Sequence, residues 1–189
     1  MALEPKYEEE RDIRMSVTEE HLLASLERHL KGSEYRVEVK DAGRLRPGVV
    51  GPQPRGSIVV KKGGLLGKKV AEFYATGHWE LDPEFEKMFE PVRSELQARV
   101  CAAVARANVG KVGYALGPRT SLEGTGDGGF RDLVVRYLES VAEECEARAS
   151  GSPAEVVAVL ETLRKEMESK LQSHPRHAER GWQRDLIPM

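Results

Sequence analysis

The chain has 189 residues, a formal net charge of -2 and 40% hydrophobic residues, so it is long enough to bury a core in one domain, with or without an appended arm. Its two cysteines, Cys101 and Cys145, fall inside amphipathic patterns, which argues against a secreted disulfide framework and favours a reducing compartment. The acidic N-terminus lacks a signal peptide, and no apolar run approaches the ~20 residues that span a bilayer, so we expect a cytoplasmic protein.

The N-terminal part is predicted to begin with a mobile lead-in, residues 1–15, which has little apolar surface to bury. Ser16 and Glu19 then match a capping box, in which the two side chains satisfy the unpaired N–H groups of a first helical turn. Leucines recur at helical spacing as far as Leu30, and Gly32 is a typical helix stop. The sequence therefore predicts a helix from Ser16 to about Leu30.

Three strand-like runs follow, and turn residues separate them. Residues 34–41 alternate apolar and charged side chains, which predicts a half-exposed strand. Residues 42–56 contain three prolines and four glycines and are predicted to form a long loop. Residues 57–62 and 70–81 predict the second and third strands, and the short connection 63–67 predicts that they pair as an antiparallel hairpin.

The remaining elements are predicted to be mainly helical. Asp82-Pro83 is typical of a helix start, Pro91 is expected to kink or restart that helix, and residues 112–116 are predicted to add a short strand. Further helices are predicted from Phe130 and, through a second capping box, from Ser152. A narrow apolar seam on the last helix, which favours packing against a partner helix, consists of Val156, Leu160, Leu163, Met167 and Leu171.

Together these elements predict an α+β fold with a three-stranded antiparallel sheet packed on helices and a C-terminal two-helix arm. The predicted organisation is a lead-in at 1–15, an α+β core domain at 16–117, a Gly-rich loop at 118–129, a helical arm at 130–172 and a tail at 173–189.

The strongest functional candidate is the predicted hairpin, because an apolar pair lies in its Gly-rich turn with two lysines on each side. From Arg36 to Lys69 there are nine basic and two acidic residues, a local excess of +7. This excess favours an anionic partner, either the phosphates of a nucleic acid, an anionic membrane or an acidic protein surface. The candidate binding residues are Arg44, Arg46, Arg55, Lys61, Lys62, Leu65, Leu66, Lys68 and Lys69.

Two alternatives remain open for this hairpin. In the first, Leu65 and Leu66 fold back onto the core, and the lysines form a hydrated edge that discourages pairing with another strand. In the second, the turn binds a protein and its charge has no role. In either case the C-terminal helices are expected to associate with a protein partner or with a second copy of the chain.

An enzymatic alternative comes from Glu38-Val39-Lys40 in the first predicted strand. The segment resembles the E-x-K element of the restriction-endonuclease-like nucleases, and the predicted order of the surrounding elements, a helix, three strands and a helix, is similar to theirs. The resemblance implies a Mg²⁺-dependent nuclease, with Asp41 and Glu72 as substitutes for the acidic ligand that the family carries on a preceding strand.

The remaining motifs favour structural roles. Residues 124–129 match the string G-x-G-x-x-G, but no strand leads into them, so we interpret them as a loop that ends at a helix cap. Neither the histidines nor Cys101 and Cys145 have the spacing of a metal site, and both cysteines are interpreted as small apolar residues. We therefore expect a non-enzymatic binding or adaptor protein with no catalytic residue, cofactor or metal.

Overall fold

The computed structural model describes residues 5–40, 56–64, 67–74, 77–116, 127–178, 183, 186 and 187. Within them lie five α-helices and one four-stranded antiparallel sheet, which confirms the α+β class in broad terms. The chain divides into two compact units. Met15–Leu96 form one, here called the sheet unit, and Met1–Arg14 with Gln97–Met189 form the other, here called the helical unit.

The helices are α1 (Pro5–His29), α2 (Pro83–Val109), α3 (Val112–Ala115), α4 (Asp127–Ala149) and α5 (Ala154–Ser173), followed by a 3₁₀ helix at Pro175–Ala178. The strands are β1 (Tyr35–Lys40), β2 (Ser57–Lys62), β3 (Lys68–Tyr74) and β4 (Trp79–Leu81). They lie in the order β1-β2-β3-β4, and every neighbouring pair is antiparallel.

The described residues contain four strands rather than three because the predicted third strand is interrupted. Gly77 has φ 81°, a left-handed conformation that glycine adopts without a steric penalty, and its N–H donates to the carbonyl of Tyr74 at 2.9 Å. The N–H of Tyr74 in turn donates to the carbonyl of His78 at 2.9 Å, so the chain reverses here. Residues 79–81 therefore pair back onto β3 instead of extending it.

Two predictions about helices are wrong. Helix α1 begins at Pro5 and not at Ser16, since proline fits a first helical turn and Glu8 places an acidic side chain near the positive end of the helix dipole. Residues 112–116 were predicted to be a strand, but Val112–Ala115 is a short helix in which Ala115 N–H donates to Lys111 O at 3.0 Å.

Helix α2 begins as predicted, because the Asp82 carboxylate accepts the N–H of Glu84 at 3.0 Å and Pro83 opens the helix. It does not restart at Pro91, which lies inside it. Helix α5 starts at Ala154 after the predicted Ser152-Pro153 pair, but it has no side-chain cap there. Its first turn uses the carbonyl of Pro153, which accepts the N–H of Val156 at 3.0 Å.

The core of the sheet unit lies between one face of the sheet and the helices α1 and α2. Opposite residues of antiparallel strands share a face, so Tyr35, Val37 and their cross-strand partners point to the helices, and we call this the inner face. Phe73 contacts Phe89 with ring centroids 5.1 Å apart. The buried core residues are Leu22, Leu26, Leu30, Val60, Val70, Ala71, Phe73, Phe85, Phe89, Val92 and Leu96.

The helical unit has a separate core, in which α4 supplies an unbroken apolar stripe. Its stripe includes Phe130, Val134, Leu138 and Ala142, and Leu171 of α5 joins the same cluster. The chain reverses between α4 and α5 at Gly151, which has φ 69°. The sequence pattern predicted the helix from Phe130 well, and the structure begins α4 at Asp127.

Candidate functional site

The predicted hairpin is formed by β2 and β3, and a turn closes it. The N–H of Gly67 donates to the carbonyl of Gly64 at 2.8 Å, and the N–H of Gly63, which has φ 90°, donates to Glu34 O at 2.9 Å. A Cβ atom at Gly67 would lie 2.5 Å from the carbonyl oxygen of Lys62. Glycine at position 67 is therefore required for the two strands to approach each other at this end.

The four hairpin lysines do not form a single patch. Lys61 lies opposite Lys69, and Lys62 lies opposite Lys68, so the lysines form two adjacent pairs of like charge across β2 and β3. Successive strand residues point to opposite faces. Lys62 lies opposite Tyr35 and shares the inner face, whereas Lys61 lies opposite Arg36 on the other face, which we call the outer face.

The inner pair contacts the start of α2. The Lys68 ammonium donates to the Asp82 carboxylate at 2.8 Å, and Lys62 lies 3.6 Å from each of the carboxylates of Glu34 and Glu84. The hydrogen bond from Lys68 is the main cause that lowers the pKa of Asp82 below its usual value. These two lysines therefore compensate the acidic first turn of α2.

The outer pair contacts a row of glutamates. Lys61 lies 2.7 Å from Glu38, and Lys69 lies 2.9 Å from Glu72 and 3.1 Å from Glu80. Glu38 and Glu72 face the same residue of β2, and Glu80 lies opposite Glu72, so the three carboxylates cross the sheet in one row. Arg36, Lys61 and Lys69 lie opposite one another on β1, β2 and β3 and form a basic row beside these carboxylates.

Glu72 is at the centre of this row and is almost buried, with 8% of its surface exposed. Its carboxylate accepts hydrogen bonds from Ser57 at 2.7 Å and Lys69 at 2.9 Å, and Lys40 lies 3.5 Å away. Lys69 and then Ser57 lower the pKa of Glu72 to about 2. The same contacts raise the pKa of Lys69. Glu72 is thus a charged acceptor that joins three strands.

These contacts change the interpretation of the charge excess. Each of Lys61, Lys62, Lys68 and Lys69 has a carboxylate within 3.6 Å, and several of those carboxylates come from outside the segment that supplies the excess. The pairs that involve the exposed Glu34, Glu80 and Glu84 add little stability and are easily exchanged. The predicted contributions of Arg44, Arg46, Arg55, Leu65 and Leu66 lie outside the described residues.

The carboxylates of the nuclease hypothesis are occupied by lysines. Glu38 and Glu72 lie on the same face, but β2 separates their strands, which places them roughly 10 Å apart at two strand spacings. Asp41 lies outside the described residues. Within the described part of the chain, no group of three or more His, Cys, Asp or Glu side chains is arranged to hold a metal ion. The nuclease hypothesis therefore stays a prediction, because the described residues contain no metal site that would support it.

The predicted seam of α5 has two different halves. Leu171 is buried and Met167 packs against the helical core, as a partner helix requires. In the other half, Leu160 is partly buried, and Val156 and Leu163 are 45% and 42% exposed. Val159, which the predicted seam does not include, is 60% exposed beside Val156 and Leu163. These three exposed residues follow a spacing of i, i+3 and i+7, which places them on one side of the helix. We call these three residues the α5 stripe.

The polar contacts between α4 and α5 explain why the α5 stripe is left outside. Arg164 donates to the buried carboxylate of Glu144 at 2.7 Å, and Arg148 donates to Glu161 at 3.3 Å. In the half of α5 that carries the stripe, α5 therefore contacts α4 through ion pairs, whereas the half with Met167 and Leu171 contacts it through apolar side chains. Sequence periodicity marks both halves as one seam and carries no sign of this change.

Sequence reasoning missed a buried polar cluster in the sheet unit. Glu95 of α2 is 7% exposed, and its carboxylate accepts hydrogen bonds from Ser25 at 2.8 Å and Arg28 at 2.8 Å, while His29 Nε2 lies 3.1 Å from it. The available signal was a serine between Leu22 and Leu26 on an apolar stripe. A polar residue at a core position indicates a polar partner.

Other candidates have structural contacts. His174 stacks on Phe130 with ring centroids 4.7 Å apart, and Gln183 contacts His177 at 3.0 Å. Residues 124–126 of the string at 124–129 lie outside the described residues, and its last three residues begin the helix α4. The described element immediately before it is the helix α3, so no described strand leads directly into it.

Comparison with protein-family models, with curated proteins and with solved structures gives no match for this chain. Among the residues that the structure describes, no helix is both long enough and apolar enough to cross a membrane.

Proposed function

We propose that this chain is a non-enzymatic interaction protein that associates through the α5 stripe, and that the surface it binds is the same stripe on a second copy. The observation that supports this is the exposure of three large apolar side chains on one side of a single helix. Water-exposed apolar side chains that form a stripe mark interaction surfaces more often than scattered ones do.

A second copy fits the stripe because its pattern is self-complementary in an antiparallel arrangement. Val156 of one copy then lies near Leu163 of the other, and Val159 lies near the twofold axis. Isologous contacts of this type, in which one patch meets itself, are the commonest in homo-oligomers.

The test is a charge placed in the stripe, with a matched charge beside it. Val159→Lys is expected to shift the full-length chain to the monomer by at least about tenfold in dissociation constant, because it buries an ammonium group in an apolar contact. Ala158→Lys adds the same charge at an adjacent exposed position outside the stripe. We expect this control to retain the oligomer, measured by sedimentation equilibrium.

A monomeric wild-type chain at every concentration tested would contradict the proposal. Equal weakening by the two substitutions would also contradict it, because charge in general, and not the stripe, would then control association.

A second proposal concerns the hairpin, where the like-charged pairs Lys61–Lys69 and Lys62–Lys68 are the supporting observation. Like charges directly across a sheet destabilise it, and the partners Glu34, Glu80 and Glu84 are exposed and exchangeable. We propose that phosphates of a polyanion replace these carboxylates, with Arg44, Arg46 and Arg55 as further contacts. Glu38, Glu72 and Glu80 repel the same ligand, so binding is expected to be weak and to decrease steeply with salt.

The experiment titrates the full-length chain with single-stranded DNA and, separately, with phosphatidylserine vesicles at several salt concentrations. Replacing Lys61, Lys62, Lys68 and Lys69 by Gln is expected to reduce binding by about tenfold or more and to flatten the salt slope. Replacement of Lys165 and Lys170 by Gln is the control. Unchanged binding in the hairpin variant would leave only the first proposal, and turnover of DNA with Mg²⁺ or Mn²⁺ would favour the nuclease hypothesis instead.

Our proposal includes the cytoplasmic location predicted from the sequence. It is supported by Cys101 and Cys145, which are free thiols, as a reducing compartment favours.

A further inference from the structure

The two cysteines of the helical unit lie against each other. Cys101 is on α2 and Cys145 is on α4, and the Cys145 Sγ–H donates to Cys101 Sγ at 2.9 Å. Both thiols are free and partly exposed. A disulfide requires sulfur atoms about 2.05 Å apart, so the two sulfur atoms have to approach each other by about 0.9 Å.

The surroundings of the two sulfur atoms distinguish their roles. The hydrogen bond from Cys145 is the main cause that lowers the pKa of Cys101, and the Arg164 guanidinium acts in the same direction while burial and Glu144 oppose it. The same hydrogen bond raises the pKa of Cys145. Cys101 is therefore the better nucleophile, because the thiolate is the reactive form of cysteine.

We propose that Cys101 and Cys145 form a redox modification site that reacts with hydrogen peroxide or a small organic hydroperoxide and closes a disulfide between α2 and α4. The supporting observation is geometric: two partly exposed thiols whose sulfur atoms lie 2.9 Å apart.

The reaction balances in two steps. The Cys101 thiolate attacks one peroxide oxygen, which forms an S–O bond and breaks the O–O bond. The second oxygen leaves as hydroxide, or as an alkoxide from an organic hydroperoxide, and takes up a proton to give water or an alcohol. The Cys145 sulfur then attacks the sulfenic sulfur of Cys101, which forms the S–S bond and releases the hydroxyl group as water. The two thiols lose two electrons, and the peroxide accepts them.

The disulfide has a defined structural effect inside the helical unit. It closes a loop between residues that are 44 positions apart, and this restricts the unfolded chain. We expect oxidation to raise the melting temperature by about 5–10 °C for a loop and a protein of this size. A thiol reductant reverses it.

The experiment treats the reduced full-length chain with stoichiometric hydrogen peroxide. We expect loss of both titratable thiols, a mass decrease of two hydrogen atoms, a monomeric band on a non-reducing gel and a peptide that joins Cys101 to Cys145. Retention of both thiols, or their loss only in covalent dimers, would overturn the proposal.

Single variants test the assignment of the two sulfur atoms. In Cys145→Ala the sulfenic acid of Cys101 has no partner, and we expect dimedone to trap it. In Cys101→Ala the remaining thiol is expected to react with peroxide at least about tenfold more slowly than Cys101 does in Cys145→Ala. Equal rates would overturn the assignment of Cys101 as the attacking sulfur, and if either variant fails to fold, the wild-type peptide map still decides whether the disulfide forms.

Discussion

The sheet unit contains two nearly buried glutamates with similar numbers of partners but different surroundings. Glu95 lies between α1 and α2 and accepts from Ser25 and Arg28 of one helix, whereas Glu72 lies on the outer face and joins residues of three strands. The first carboxylate holds two helices together, and the second holds strands in register. The structural role of a buried charge therefore depends on which elements supply its partners, and not on burial alone.

The largest effect is expected from removing Glu95. Glu95→Ala leaves the fully buried Ser25 hydroxyl and the Arg28 guanidinium without this acceptor, and we expect a loss of about 2–3 kcal/mol in the free energy of unfolding. Urea denaturation measures it. Glu90→Ala on the same helix, where Glu90 pairs with Arg93 at the surface, is expected to have little effect, and an equal loss in both variants would show that Glu95 has no special role.

A matched pair of serine substitutions compares the two carboxylates directly. Ser25→Ala removes a fully buried donor to Glu95 and is expected to cost about 1 kcal/mol, while Ser57→Ala removes a half-buried donor to Glu72 and is expected to cost about 0.5 kcal/mol. The same denaturation experiment measures both. The comparison would be wrong if the Ser57 variant proved the less stable of the two.

Stability is also expected to depend on pH through Glu72. Its pKa falls from an ordinary value of 4.5 to about 2 on folding, so its contribution to stability is complete above the ordinary value and is lost as pH falls towards 2. We expect the wild-type chain to lose more stability than Glu72→Gln between those two pH values. Parallel curves for the two proteins would contradict this, and Glu80→Gln at the exposed end of the row is the control.

Sequence patterns predicted those parts of the fold that depend on local periodicity. The hairpin of β2 and β3, the starts of α2 and α5 and the helix that contains Phe130 follow from alternation, from proline positions and from apolar spacing. The extra strand β4 was not predictable in the same way, because a single glycine conformation at Gly77 decides whether the chain continues or reverses. The early start of α1 depends on Pro5 and Glu8, which are weaker signals than the capping box.

The candidate surfaces were less predictable because they depend on contacts between distant residues. The count of basic residues identified the hairpin lysines, but Asp82, Glu80 and Glu84, which compensate them, follow later in the chain. The seam of α5 was visible as a pattern, yet only the contacts of Arg164 and Glu144 decide which half stays exposed. The thiol contact joins residues 44 positions apart, and no local pattern encodes it.

The close approach at Gly67 has a consequence for sequence variation. A side chain at position 67 would collide with the carbonyl of Lys62, whereas a Cβ at Gly64 meets nothing within 4 Å. In a saturation library selected for folding, we expect only glycine to persist at position 67, while position 64 accepts many amino acids. Two glycines in the same turn thus differ in how far they constrain the evolution of the hairpin.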